Sequence, residues 1–271
     1  MPNFNNPGHL KSQYRRAENL NTRILLHQRY STNKQGWGNW VFDNYALKPG
    51  QAILELGCGS GGMWRGKAGK LPEGLTLVLS DLSEGMLETA RDNTREMDFI
   101  NCRVIDAQDI PFADGTQDIV IANHMLYHVP DIRKALSEIS RVLKPGGTLY
   151  ATTVGKDNMK TLVDIVEGFD PAIDFAMDSV ISAFGLESGE LLLREFFETV
   201  DVRRYEDSLH ITDPRPLIDY ILSSKGIGNV GDIVTGENIA RFNATITALF
   251  AETGSIDIRK DAGILIAQKH R

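Results

Sequence analysis

Two hydrophobic rhythms alternate along the chain from Ala52 to Thr153. Short apolar runs at 52–56, 75–80, 102–106, 118–123 and 148–153 read as strands, and stretches with helical spacing lie between several of them. The clearest helix is 131–143, where Ile132, Ala135, Leu136, Ile139, Val142 and Leu143 form one apolar stripe. A second runs from about Glu84 to Met97, with Ser83 placed to cap its first turn. Pro145-Gly146, followed by Gly147, ends the 131–143 helix and turns the chain into the fifth strand. Strands that alternate with helices imply an α/β fold, a mostly parallel sheet covered on both faces.

The flanks follow other patterns. Residues 1–10 read as a loose arm, and a helix is expected from about Lys11 to Tyr30 with Ala17, Leu20, Ile24 and Leu25 on one face. Trp37, Trp40, Val41, Phe42 and Tyr45 suggest a second helix ending before Lys48-Pro49-Gly50. After Val154 the alternation stops. Residues 158–198 read as mainly helical, a strand returns at 200–210, helices follow at 214–223 and about 236–252, and AGILIAQKH closes as a buried strand. The expected organisation is an N-terminal helical cap at 1–48 and a domain at 49–271. Helical insertions at about 156–198 and 212–254 of that domain serve as a late lid over the open end of the sheet.

Composition narrows the class. With 271 residues, 42% hydrophobic and 24% charged, the chain has the makeup of an ordinary globular protein. No apolar run reaches the eighteen or so residues of a membrane span, and the start lacks the apolar core of a secretory signal. Cys58 sits in a glycine turn and Cys102 begins an expected buried strand, which disfavours a disulfide framework and fits a reducing cytoplasm. A formal net charge of −7 disfavours nucleic acid as the main partner.

The chemistry gathers at the strand ends. AILELGCGSGG, residues 52–62, is a strand running into a glycine-rich turn and then an expected helix, where backbone N–H groups can meet a nucleoside-containing cofactor. In open parallel sheets ligands bind beyond the carboxyl ends of the strands, so Gly57, Gly59 and Gly61, Asp81, Asp106, and Asn123, His124, Tyr127 and His128 should share one crevice. Asp81, about two dozen residues past the first glycine, is placed to grip ribose hydroxyls; otherwise it is a turn residue capping the next helix. Asp106 is an acceptor for an adenine amine, with Ala107 beside it, or a plain strand-end turn residue. Glu55, acidic in an apolar strand, pairs with a backbone or basic group or faces a cationic ligand. His124 and His128 stand four apart, as on zinc-binding helices, but HMLYH offers no adjacent Glu and no third ligand. They read as pocket wall, able with Tyr127 to hold substrate or accept a proton. Trp37, Trp40 and Trp64 are ligand walls or, more commonly for such spacing, core. Cys58 reads as a small filler rather than a nucleophile.

Gly57, Gly59 and Gly62 also satisfy G-x-G-x-x-G, so a nicotinamide-dependent oxidoreductase is an alternative. The ordered set ILELGCGSGG, DLSEGML, DAQDIPFADGTQDIVIANHMLYHVPD and LKPGGTLY resembles the class I S-adenosylmethionine-dependent methyltransferases, in particular the branch of ubiquinone and menaquinone biosynthesis methyltransferases. The resemblance covers about Gly50 to Thr153. It implies a Rossmann-like sheet of seven strands with the last antiparallel, the strand signals at 200–210 and 262–268 being the sixth and seventh. It places the motif acid on Glu55 and the turn on Gly57, Gly59, Ser60 and Gly61. The ribose acid falls on Asp81 with Leu82 and Met86 beside it, the adenine pair on Asp106 and Ala107, and the residue flanking the methionine moiety on Asn123. An N-terminal helix closing over the cofactor would bring Tyr14, His27 and Tyr30; otherwise these residues serve helix packing. The implied cofactor is S-adenosyl-L-methionine, the implied partner a small-molecule acceptor, and the implied reaction an in-line methyl transfer that needs alignment more than a fixed catalytic triad. A non-catalytic protein that binds the same ligand is a further alternative.

Overall fold

The computed structural model describes residues 17–174, 177–224 and 228–271. The loose arm expected at 1–10, the start of the first helix and Tyr14 lie outside them. The chain divides into two compact units: Trp37–Gly155, Val180–Tyr205 and Ala262–Arg271 in one, Met1–Gly36, Lys156–Ser179 and Glu206–Asp261 in the other.

The first unit holds the strands that read so clearly in sequence. β1 (Ala52–Leu56), β2 (Thr76–Asp81), β3 (Ile100–Val104), β4 (Gln117–Asn123) and β5 (Leu143–Val154) are joined by β6 (Thr199–Ile211) and β7 (Ile256–Gln268) in a seven-stranded sheet of order β3-β2-β1-β4-β5-β7-β6. β1 pairs parallel with β2 and β4, β2 with β3, and β4 with β5, while β7 runs antiparallel to β5. The register decides where the strand ends fall. Leu56 lies opposite both Ser80 and Ala122, and Asp81 opposite Val104. Gly57, Asp81 and Asn123 therefore emerge level with one another, with Asp106 two residues past the end of β3.

Alternate strand residues serve two cores. Leu54 and Leu56 join Val120, Ala122, Leu149 and Ala151 under α4 (Ile132–Val142), whose Ala135, Leu136, Ile139 and Val142 are all fully buried. Ile53 points the other way, with Leu77, Leu79, Ile119, Ile121 and Tyr150, against Val41 and Phe42 of α2 (Trp37–Asp43) and Ala90 of α3 (Glu84–Thr94). Burial on both faces is why these strands read as unbroken apolar runs rather than as alternating ones. Each Val, Leu, Ile or Phe side chain so removed from water contributes about 1.5–3 kcal/mol. Ser83 and Asp131 cap α3 and α4, accepting from the backbone of Met86 and Lys134.

Three expectations need correction. β3 is an edge strand with Val104 53% exposed, so Cys102 lies on a half-open rim rather than in a buried strand. No α-helix follows the glycine turn. Backbone bonds instead close every three residues, from Gly61 to Cys58, Trp64 to Gly61, Lys67 to Trp64 and Lys70 to Lys67. Left-handed glycines at 57, 59, 61 and 66 break the run of helical dihedrals that an α-helix requires. The third correction lies in the other unit. On α1 (Ala17–Tyr30), Ile24 and Leu25 are exposed at 42% and 60% while Leu26 and Tyr30 are buried, and the side chains of Ala17 and Leu20 lie outside the described residues.

That second unit is mostly helical. α1 and α10 (Glu237–Thr253) both contact α8 (Pro214–Ser223), and the contact with α8 selects Leu26 and Tyr30, one turn apart, as the buried face of α1. With them lie Leu162 and Val166 of α5 (Lys160–Phe169), Leu217, Ile221, Phe242 and Ile246. Asp207, its side chain fully enclosed, accepts from Lys260 at 2.7 Å, from the Ser31 hydroxyl and from the Asn33 N–H. The helices expected over 158–198 are α5, α6 (Met177–Phe184) and α7 (Leu186–Leu193). α9 (Val230–Ile233) is a single turn.

Candidate functional site

The glycine turn is held to the second strand by hydrogen bonds. The Cys58 N–H donates to the Ser80 carbonyl at 2.8 Å, and the Gly59 N–H donates to Asp81 Oδ2 at 3.0 Å. Asp81 Oδ1 accepts from the Ser83 N–H at 2.9 Å, and Asn93 of α3 donates to the Ser60 carbonyl. Burial raises the Asp81 carboxyl above the usual range, and the N–H groups of Ser83, Gly59 and Leu82 oppose that rise. The two glycines differ in what they require. Gly57 has φ +65° and a Cβ there would lie 2.7 Å from Met125 Cβ, whereas Gly59 has φ +55° and open space where a Cβ would stand. Gly59 therefore leaves room for a ligand against the peptide plane beside the Asp81 carboxylate. Met86 is buried below this point and Leu82 is 43% exposed. Asp106 bridges to Asp109 and accepts from the Gln108 N–H at 2.8 Å, closing a tight turn in which Ala107 is buried.

Glu55 is at the centre of a buried polar network. It is 2% exposed; the Trp64 indole N–H donates to Oε2 at 2.6 Å and the Asn123 amide donates to Oε1 at 2.9 Å. Of the arrangements considered from sequence, a backbone or basic partner is not present among the described residues, which leaves the cationic ligand. Asn123 also exchanges hydrogen bonds with the Tyr45 hydroxyl and accepts from the Thr152 hydroxyl at 3.3 Å. Burial pushes the Glu55 carboxyl up to about 7, the N–H donors of Trp64 and Asn123 pull against it, and the negative charge of Asp81 adds to the rise. Tyr45 and Cys58 are raised by burial and by Glu55, so both keep their protons through the neutral range. Cys58 is thus a poor nucleophile.

His124 follows β4 in a left-handed conformation, φ 48°, uncommon for a residue with a side chain. Its N–H donates to the Thr152 carbonyl at 3.1 Å, and its ring lies 5.3 Å from Trp37 and 6.4 Å from Tyr127. Tyr127 and His128 stand 4.5 Å apart, ring to ring, in a 3-10 turn over Leu126–His128. That geometry removes the zinc-helix comparison, because the two histidines do not share an α-helical face. Trp37 and Trp40 stack at 5.5 Å and both meet Tyr205, forming a half-buried aromatic wall beside His124. Trp64 is fully buried, with its ring 6.2 Å from Tyr45 and its N–H on Glu55.

The structure thus brings together Glu55, the glycine turn, Asp81, Met86 and Asn123, with Asp106 and Ala107 at the adjacent strand end and the rings of His124 and His128 each against Tyr127. Tyr30 is packed in the core of the other unit and its hydroxyl has no partner among the described residues. Sequence reading missed the hydrogen bonds that Tyr45, Trp64 and Thr152 make to Glu55 and Asn123. An acid marooned in an apolar strand was the one signal that donors of this kind must be near.

A twisted sheet of this strand order, with an acid and a glycine turn at adjacent strand ends, defines a Rossmann-like fold of the kind that seats nucleoside cofactors. Residues 54–151 match a family model described as a methyltransferase domain. The chain is 35% identical over 123 residues to the ubiquinone/menaquinone biosynthesis C-methyltransferase UbiE of Haemophilus ducreyi, a span of 44% of this chain and 48% of that protein. The chain spans about half the length of the curated relatives it matches. Among solved structures, phosphoethanolamine N-methyltransferase 2 of Haemonchus contortus, in complex with S-adenosyl-L-methionine, superposes with a TM-score of 0.57 at 20% identity, covering 96% of this chain and 60% of that one. The YcgJ protein of Bacillus subtilis gives a TM-score of 0.56 at 17% identity, covering 86% and 98%. These likenesses bear out the resemblance drawn from the motifs and the seven-stranded fold it implied.

Proposed function

We propose that this protein transfers the methyl group of S-adenosylmethionine to a small-molecule acceptor by in-line displacement. The observation that carries the reading is the Gly59 N–H bond to Asp81, which sets an open glycine edge and a carboxylate side by side at the level of Asn123. The methyltransferase-domain match and the relatives named as C-methyltransferases support it. The residues fit the cofactor: free space at Gly59, unused lone pairs on Asp81 for ribose hydroxyls, and a buried Glu55 with no cation of its own. When bound, the cofactor supplies a methyl group on a sulfonium that is already a good leaving group.

The residues have distinct parts in this reading. Asp81 holds the ribose, with Leu82 and Met86 against the sugar. Asp106 and Ala107 meet the adenine. Gly57, Gly59, Ser60 and Gly61 let the backbone approach the ligand, and Glu55 and Asn123 flank its methionine end. The chain's task in the transfer is to align the acceptor behind the methyl and to exclude water. Where the acceptor keeps a proton, His124, His128 or Tyr127 takes it. Titration calorimetry tests the reading. S-adenosylhomocysteine is expected to bind the intact protein, and Asp81→Ala to weaken it about 10- to 100-fold, the range for losing charged hydrogen bonds worth about 1.5–3 kcal/mol. Tight NADH binding with no S-adenosyl ligand bound would replace it with an oxidoreductase.

A further inference from the structure

Glu55 carries more than a place in the turn motif. Its carboxylate is enclosed, and both contacts are neutral N–H donors, the Trp64 indole and the Asn123 amide. Among the described residues, the ionisable groups in electrostatic contact with it are Asp81, Tyr45 and Cys58. None supplies a positive charge: Asp81 has the same sign, and the phenol and thiol stay protonated. A carboxylate shut away from water without a counter-charge has two ways to exist, by keeping its proton or by meeting a cation brought in from outside. The donors favour the ionised form while burial and Asp81 favour the acid, and the balance falls at about 7. The network fixes the side chain in place for either state, because the Tyr45 and Thr152 hydroxyls anchor the Asn123 amide.

We propose that cofactor binding is proton-linked through Glu55: the positive charge of S-adenosylmethionine expels the Glu55 proton to solvent, and the carboxylate left behind becomes the ligand's buried counter-ion. This rests on the methyltransferase reading and adds a coupling that the reading does not require. The cation is the sulfonium or the ammonium of the ligand, and the two can be separated because S-adenosylhomocysteine keeps only the ammonium.

The experiment is titration calorimetry of the full chain with each ligand, in pairs of buffers of unequal ionisation enthalpy, from pH 6 to 8.5. The expected result is net proton release near pH 6.5–7 that fades above pH 8, with affinity rising about tenfold from pH 6 to 8. Release with S-adenosylmethionine alone assigns the sulfonium; equal release with both ligands assigns the ammonium. Glu55→Gln should bind without proton release. Trp64→Phe, which takes one N–H from the carboxylate, should move the release window to higher pH. Binding with no proton exchanged across the range would overturn the coupling and leave the methyltransferase reading intact, as would release that persists in Glu55→Gln and so belongs to Asp81. Failure of both ligands to bind would overturn the two together.

Discussion

Replacing Glu55 by glutamine in the ligand-free protein should change how stability depends on pH. The carboxyl moves from 4.5 to about 7 on folding, chiefly because it is buried. Below pH 4.5 the group is protonated in both states and contributes no pH dependence. Between 4.5 and 7 the unfolded chain ionises while the folded chain holds its proton, so stability falls as pH rises. Above 7 both states are ionised and the curve flattens. A separation of roughly 2.5 pH units at about 1.4 kcal/mol per unit makes the total loss about 3.5 kcal/mol. Glutamine removes that term. Its oxygen can keep the Trp64 N–H, and the Asn123 amide can turn to present its own oxygen, since the hydroxyls of Tyr45 and Thr152 accept as well as donate. The variant should therefore be the more stable form above pH 7, with the advantage shrinking to about 1 kcal/mol or less at pH 5. Urea unfolding followed by tryptophan emission measures this in the right place, because Trp37, Trp40 and Trp64 all belong to the sheet unit. Wild-type and variant curves that stay parallel within about 0.5 kcal/mol from pH 5 to 8 would refute the argument.

Other substitutions test the remaining geometry. Gly57→Ala sets a Cβ against Met125 at positive φ and should destabilise the fold by about 2 kcal/mol or more, read as a lower urea midpoint. Gly59→Ala meets no neighbour and should cost about 1 kcal/mol while reducing S-adenosylhomocysteine affinity, read by calorimetry. On α1, Leu26→Ala should cost about 2–4 kcal/mol and Leu25→Ala less than about 0.5, a contrast that thermal unfolding would show. Asp131→Ala removes the cap of α4 and should lower stability by about 1 kcal/mol in the same assay.

What the sequence disclosed follows from which patterns have a known period. The sandwiched strands and the α4 stripe were legible because burial on two faces, or on one face every 3.6 residues, leaves a plain trace. The level of the strand ends followed from parallel topology, so Gly57, Asp81 and Asn123 could be grouped in advance. The face of α1 was misjudged because Ile24, Leu25 and Leu26 are consecutive apolar residues, and the contact with α8 chooses among them. β3 was taken as buried because the run 102–106 was read as one more strand of a covered sheet, and such a run does not disclose that its strand stands at the sheet's edge. The Glu55 network was invisible for a different reason. Its donors come from Tyr45, Trp64, Asn123 and Thr152, residues scattered over a hundred positions and brought together only by strand pairing and the course of the turn.

The three-residue spacing after β1 has a consequence for redesigning this stretch. Gly61, Trp64 and Lys67 are buried and the residues between them are not, the same three-residue spacing as the turn bonds that link them. Removing or adding a triplet keeps that spacing in phase, whereas a change of one or two residues rotates everything downstream and swings the indole off its acid. Length variants of this segment should thus sort by their remainder on division by three.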